Sequence, residues 1–209
     1  PLEGKRSEAT EGEGSLSGVT FCFLFRLFSW FQAWSGGENG EEPPNNWKSL
    51  FGGRAWTRVP DGQWYLHLFD SSQPDLNWEN PQVRRAIHEM MTWWLDRGVD
   101  GFRMDVINLI SKTYPLTDAP QGEADLYGNA FAAVANGPRI HEFLHEMNQQ
   151  VLAPRPGHVI TVGEMPGATR SEAALYTDPA RAELDITCRA LSEEARQRLR
   201  VVVERVVTG

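Results

Sequence analysis

The sequence predicts an α/β fold built on parallel strands. Three observations carry that reading. Two amphipathic helical periods occur, at about 81–97 and 138–152; an apolar strand pattern follows each, at 99–107 and 158–162; and a carboxylate lies in or just after each of those strands, Asp105 in the first and Glu164 in the second. Helix then strand, repeated, is the order in which a parallel sheet or barrel covers its strands with helices.

Each element has its own signal. Residues 1–33 pass from a Glu/Gly/Ser-rich opening to a Phe-rich run with neither period, and no fold is assigned to them. Residues 34–56 (WSGGENGEEPPNNWKSLFGGRAW) are dense in Gly, Pro and Asn and read as loops with short strands and packed aromatics, followed by a short strand at 63–69 (QWYLHLF). Asn80 is an N-cap with Pro81 at the first helical position. Val83, Ile87, Met90, Met91, Trp94 and Leu95 form the expected buried face of that helix, and Gly98 closes it. In the second helix, 138–152, Ile140, Phe143, Leu144, Met147 and Val151 share a face. Thr169 and Glu172 fit a capping box for a short helix ending near Tyr176. Residues 182–188 (AELDITC) read as a further strand and 192–206 as a last helix.

Composition excludes several functions. A chain of 209 residues with 41% hydrophobic content builds one globular unit with a core. A formal charge of −8 argues against a nucleic-acid binder, which needs clustered Lys and Arg to replace phosphate counterions. The two cysteines, Cys22 and Cys188, suit neither a disulfide framework nor a zinc cluster, and predict a reducing, cytoplasmic setting. The apolar run at 19–31 is interrupted by Arg26 and falls short of the roughly 20 residues that span a bilayer. The stretch before it is acidic on balance, unlike a secretory leader, so neither a membrane nor a targeting signal is expected. The eight Trp offer flat faces to small neutral ligands, although most Trp in any protein fills core.

On the strand GFRMDVI, alternation sets Arg103 and Asp105 on one face and Phe102, Met104 and Val106 on the other. An aspartate beside an arginine stays ionised, which suits a nucleophile and equally a structural ion pair. Glu164 follows HVITV at the C-terminal end of its strand, the edge that holds the site in α/β barrels and open parallel sheets. Two carboxylates from neighbouring strands can stand about 5–5.5 Å apart, the separation of a retaining glycosidase pair. Met165, Pro166 and Gly167 predict an apolar setting that raises the pKa of Glu164 and keeps the proton a general acid donates. The residues alone lead as far as a carboxylate hydrolase.

GFRMDVIN (101–108) and VGEMPG (162–167) resemble two signature segments of the α-amylase superfamily of retaining glycoside hydrolases, and QPDLNWENP (73–81) resembles the motif of its oligo-1,6-glucosidase and α-glucosidase branch. PPNNWKSLFGGRAW is similar to the small inserted B domain of that family, and ANGPRIHEFLHEMN and LYTDPARAELD add further likeness, over residues 34–186 in all. The resemblance implies a partial (β/α)8 TIM barrel with part of the B domain: 34–72 from the B domain, 73–190 from the catalytic barrel, 191–209 unassigned. It also implies Asp105 as nucleophile, Glu164 as general acid/base, Arg103 as the charge partner of Asp105 in the sugar site, and Val106 as a residue associated with α-1,6 linkages. The implied substrate is a short oligosaccharide, and no cofactor is implied. Related trehalose-6-phosphate hydrolases and sucrose isomerases share these motifs.

The family also carries an Asn-His pair on an early strand and a His-Asp pair on a late one. Neither dipeptide occurs around His67, His88, His141, His145 or His158, and the likeness stops at both ends, so an incomplete copy is expected, through truncation, frameshift or a faulty gene model. The calcium site of many relatives lies in the unmatched early part, and no metal is carried over. A non-catalytic glucosidase-like protein is disfavoured by the presence of both Asp105 and Glu164. The remaining rival is a zinc peptidase, because residues 141–145 read HEFLH, an H-E-x-x-H pattern, with Glu164 downstream. Its third ligand would belong on a helix, whereas Glu164 ends a strand.

Overall fold

The computed structural model describes residue 31, residues 40–156 and 159–178, and the backbone of 33–34 and 186–188. The Phe-rich run as far as residue 30, His158, residues 182–185 and the expected helix at 192–206 lie outside the described residues.

The first half is an aromatic-rich antiparallel unit. β1 (Ala33–Trp34), β2 (Trp56–Arg58) and β3 (Trp64–Leu66) form a three-stranded sheet in the order β1-β3-β2, with Tyr65 opposite both Ala33 and Thr57. The strand expected over 63–69 is shorter than its pattern. Asp75 ends it: its N–H donates to the Leu66 carbonyl and its carboxylate accepts the Leu68 N–H at 3.0 Å, turning the chain away from the ladder. Irregular backbone around this sheet is tied down by side chains. Asn45 donates to the Leu116 carbonyl, Asn46 both donates to and accepts from Ala119, and the Trp47 indole donates to the Thr117 carbonyl, so Asn-Asn-Trp pins residues 116–119. Trp47, Trp56, Leu66 and Leu68 are buried here with Leu109, Leu116 and Val134.

α1 (Pro81–Leu95) begins as its sequence predicts, the Asn80 side chain accepting the Gln82 N–H. At its end the N–H groups of Gly98 (φ 89) and Val99 return to the Leu95 and Trp94 carbonyls, the glycine-terminated pattern. Its buried face differs from the one expected. Val83 and Met91 are buried and Ile87 and Leu95 half-buried, but Met90 (48%) and Trp94 (46%) are exposed. Arg84 and His88 take the inward positions instead. Arg84 donates to the Trp78 carbonyl at 2.7 Å and to Glu146 at 2.6 Å, and lies over the Phe143 ring. An arginine satisfied in this way can bury its stem along apolar surface and hold an inward position of the helix.

The second half is parallel. β4 (Gly101–Met104), β5 (Ile160–Glu164) and β6 (Ile186–Cys188) lie in sequential order, β4-β5-β6. β4 stops short of the expected 107, because the backbone leaves the strand at Asp105 and Val106 is left-handed (φ 41, ψ 41) before the 3-10 turn Ile107–Leu109. Between β4 and β5 come α2 (Phe131–Val134) and α3 (Ile140–Met147), the latter running on through a π-turn, Asn148–Leu152. All five residues of the expected α3 face are buried. α4 (Arg170–Tyr176) opens with the complete Thr169/Glu172 capping box. The 3-10 turn is the seam between the halves. Leu109 packs into the antiparallel core, Ile107 into the core of Met91, Ile140, Leu144, Met147 and Met165, and Asn108 is fully buried between them.

Candidate active site

β4 and β5 pair from Gly101 with Ile160 to Met104 with Gly163, so the next positions, Asp105 and Glu164, emerge side by side at the C-terminal edge of the sheet. Arg103, on β4, joins them. Its Nη1 donates to Asp105 Oδ1 at 2.5 Å, and its Nη2 forms an ion pair with Glu164 Oε2. The two carboxylates differ in environment: the Asp105 side chain is 70% exposed and that of Glu164 10%. Three of the four residues singled out from the sequence thus meet, and the fourth, Val106, packs half-buried against the antiparallel core. The apolar setting expected for Glu164 is corrected by a charge. Met165 is buried beside it in the chain, but the carboxylate itself faces the guanidinium of Arg103.

Two further features were not singled out from the sequence. Lys112, its side chain 1% exposed, forms an ion pair with Asp75 of the QPDLNWENP segment and donates to the Leu109 carbonyl at 3.0 Å, fastening that segment to the turn after Asp105. Asn108 donates to the Pro166 carbonyl at 3.0 Å and so links the loops that follow the two carboxylates. The only sequence signal for either is a polar residue inside an apolar stretch.

HEFLH does form part of a helix, α3, but its groups are engaged elsewhere. Glu142, the base of a peptidase motif, is bonded by Arg139 at 2.8 Å, which holds its carboxyl below the ordinary value. His145 Nε2 accepts from the Gln149 amide at 2.8 Å, and the His141 ring lies 4.8 Å from that of Tyr176. Among the described residues no three His, Cys, Asp or Glu side chains gather as metal ligands, and no helix is long and apolar enough to cross a membrane.

The model of the α-amylase catalytic domain matches residues 26–198. The chain belongs to the α-amylase family. It is 54% identical to the oligo-1,6-glucosidase of Parageobacillus thermoglucosidasius over 157 residues, 75% of this chain and 27% of that protein. It is 46% identical to the trehalose-6-phosphate hydrolase of Bacillus subtilis over 158 residues, with the same shares covered. Among solved structures it resembles the trehalose-6-phosphate hydrolase of Bacillus licheniformis, with a TM-score of 0.68 and 44% identity over 78% of this chain and 28% of that one. The chain thus spans little more than a quarter of the length of these relatives. Membership in this glycosidase family, with the Arg139 contact to Glu142, removes the peptidase reading.

Proposed function

We propose that this chain carries the nucleophile and acid/base of a retaining α-glucosidase of the oligo-1,6-glucosidase type, acting on terminal α-glucosidic bonds of short oligosaccharides. The observation that carries the reading is one arginine joined to two carboxylates at the ends of adjacent parallel strands, in a stretch 54% identical to an oligo-1,6-glucosidase. β4-β5-β6 is then an arc of a (β/α)8 barrel, whose sites lie at the C-terminal edge, and the antiparallel unit is part of the inserted B domain. The two cysteines support a cytoplasmic setting.

In this mechanism the exposed Asp105 attacks the anomeric carbon while Glu164 gives its proton to the leaving oxygen, producing a covalent glycosyl-enzyme. Glu164, now a carboxylate, takes a proton from water, which attacks the same carbon and releases the sugar with retained configuration. Negative charge leaves Asp105 as its ester forms and arrives on Glu164 as it loses its proton. Arg103 reaches both, so the guanidinium keeps a charged partner throughout.

The test grafts the 157 matched residues into the Parageobacillus thermoglucosidasius oligo-1,6-glucosidase. Asp105→Asn and Glu164→Gln should each lower kcat on isomaltose by several orders of magnitude, and a fluoro-glucosyl trap should label Asp105. Near-normal turnover in either variant, or a label elsewhere, rejects the roles. A second reading, trehalose-6-phosphate hydrolysis, is favoured by the 46% identity to a trehalose-6-phosphate hydrolase. Comparing isomaltose with trehalose 6-phosphate as substrates of grafts into both relatives decides between them.

The 209-residue chain alone should not turn over p-nitrophenyl α-glucoside or isomaltose. It contains neither the Asn-His nor the His-Asp pair that the family uses around the sugar, and little then favours the oxocarbenium-like transition state over bound substrate. Turnover equal to an intact α-glucosidase, abolished by Asp105→Asn, would contradict this.

A further inference from the structure

We infer that Asn136 is a positioning residue that locks the loop after Glu164 to the turn after Asp105; the inference rests on the roles proposed above for those two carboxylates. Asn136 is left-handed (φ 50), a conformation asparagine tolerates better than most residues, and it reaches two different elements. Its N–H donates to the Asn108 carbonyl at 2.8 Å, three residues beyond Asp105. Its Nδ2 donates to Glu172 Oε1 at 3.2 Å, and its Oδ1 accepts the Tyr176 hydroxyl at 2.6 Å. Both of those partners lie on α4, the helix into which the Glu164 loop runs.

Asn108 closes the circuit through its 3.0 Å bond to the Pro166 carbonyl, two residues beyond Glu164. Residues 165–169 are therefore held at their start by Asn108 and beyond their end by Asn136, with the 106–109 turn as the common anchor. The middle is blocked as well. Gly167 (φ 71) faces the Phe131 ring, whose Cε1 lies 2.5 Å from where a Cβ would be, so the loop packs on that ring without a side chain between. Tyr176 is 1% exposed, which denies its hydroxyl water as an easy substitute for Asn136. Neither asparagine bonds to Asp105 or Glu164 in these contacts, so the expected role is geometric: a misplacement of about 1 Å in a reacting group can cost on the order of 100-fold.

Two measurements test the lock. In the 209-residue chain, Asn136→Ala should speed amide exchange about tenfold or more at both 106–110 and 165–169, with Tyr176→Phe doing so to a smaller extent. Should Asn136→Ala unfold the chain, Tyr176→Phe, which keeps the ring, carries the test. Unchanged exchange, or faster exchange in one segment only, overturns the lock whether or not the protein is a glucosidase. In the grafted enzyme, Asn136→Ala should lower kcat/KM for isomaltose about 10–100-fold but cost several-fold less on 2,4-dinitrophenyl α-glucoside, whose leaving group needs little help from Glu164. Equal losses on the two substrates overturn the positioning of Glu164. If the unmodified graft is inactive, or Glu164→Gln is harmless, the glucosidase reading has failed, and the exchange result still judges the lock.

Discussion

In the antiparallel half, three buried tryptophans each have the indole N–H satisfied: Trp47 by the Thr117 carbonyl, Trp56 by Asn45 and Trp64 by the Gly40 carbonyl. The parallel half packs Met, Ile and Leu around Tyr176, and the two buried side-chain atoms without a partner among the described residues, His88 Nε2 and Asn108 Oδ1, belong to its helix α1 and to the seam. One half obtains its shape from many specific polar anchors on irregular backbone. The other obtains it from regular elements, and sets Arg103 with two carboxylates at one edge of a sheet. A polar anchor specifies a loop because leaving it unmade is costly, whereas apolar packing tolerates exchange of similar volumes.

The largest effect expected on this contrast is at the Lys112–Asp75 pair. Lys112→Met leaves a half-enclosed Asp75 without its cation and should destabilise the chain by about 3–5 kcal/mol in urea unfolding. A loss below about 1 kcal/mol would mean that the pair behaves like a surface salt bridge and that anchoring of the antiparallel half has been overstated.

A smaller effect belongs to the parallel half. Thr169→Ala removes the cap of α4 and should cost about 1 kcal/mol. Bonds from the Thr169 backbone and hydroxyl, and then from Asn136, hold the Glu172 carboxyl below its ordinary value. A depressed carboxyl contributes stability above its unfolded pKa and loses it as pH falls through the folded value, so the gap between wild type and Thr169→Ala should narrow in strongly acidic solution to the part due to the hydroxyl accepting the Glu172 N–H. A gap that persists unchanged there would show that the hydroxyl alone, and not the carboxylate, makes the cap.

The smallest expected effect is at His88. Burial lowers its pKa, with Glu146 opposing and Arg84 adding to the shift. A histidine depressed in the folded state is neutral in both states above about pH 6.5, and destabilises folding as pH falls below that value, where the unfolded chain takes up the proton first. The melting temperature should therefore drop by a few degrees between pH 7 and pH 5, and by less in His88→Leu. Identical profiles would remove His88 from the acid response.

The helix starts were legible because capping is local chemistry: Asn80-Pro81 and Thr169/Glu172 lie within a few residues of the groups they satisfy. The face of α3 and the place of Glu164 at the end of its strand also follow from short-range period, whereas the strand pattern of 99–107 runs past Asp105, which the structure sets just beyond the strand's end. Partners far apart in the chain were not legible. Hydropathy assigns Arg84 to the surface, and only Glu146, 62 residues away, and the Trp78 carbonyl explain why it lies inside. Lys112 and Asp75, 37 residues apart, are two ordinary charges until the fold joins them. The second partner of Arg103 was missed for the same reason, since period places it beside Asp105 but is silent about the next strand.

Val106 is a β-branched residue held in the left-handed region, a conformation that costs about 1–3 kcal/mol and persists because the turn between two cores imposes it. On the proposed reading it is also the position associated with α-1,6 linkages, and threonine is its nearest isostere. Those two side chains have nearly the same shape and the same branching, so exchanging them swaps a methyl for a hydroxyl while leaving the backbone penalty almost unchanged. Glycine or asparagine would relax the turn and loosen the seam, and a larger side chain would disturb its packing. The fold thus confines exchange at this position to a narrow corridor of side chains with that shape and branching.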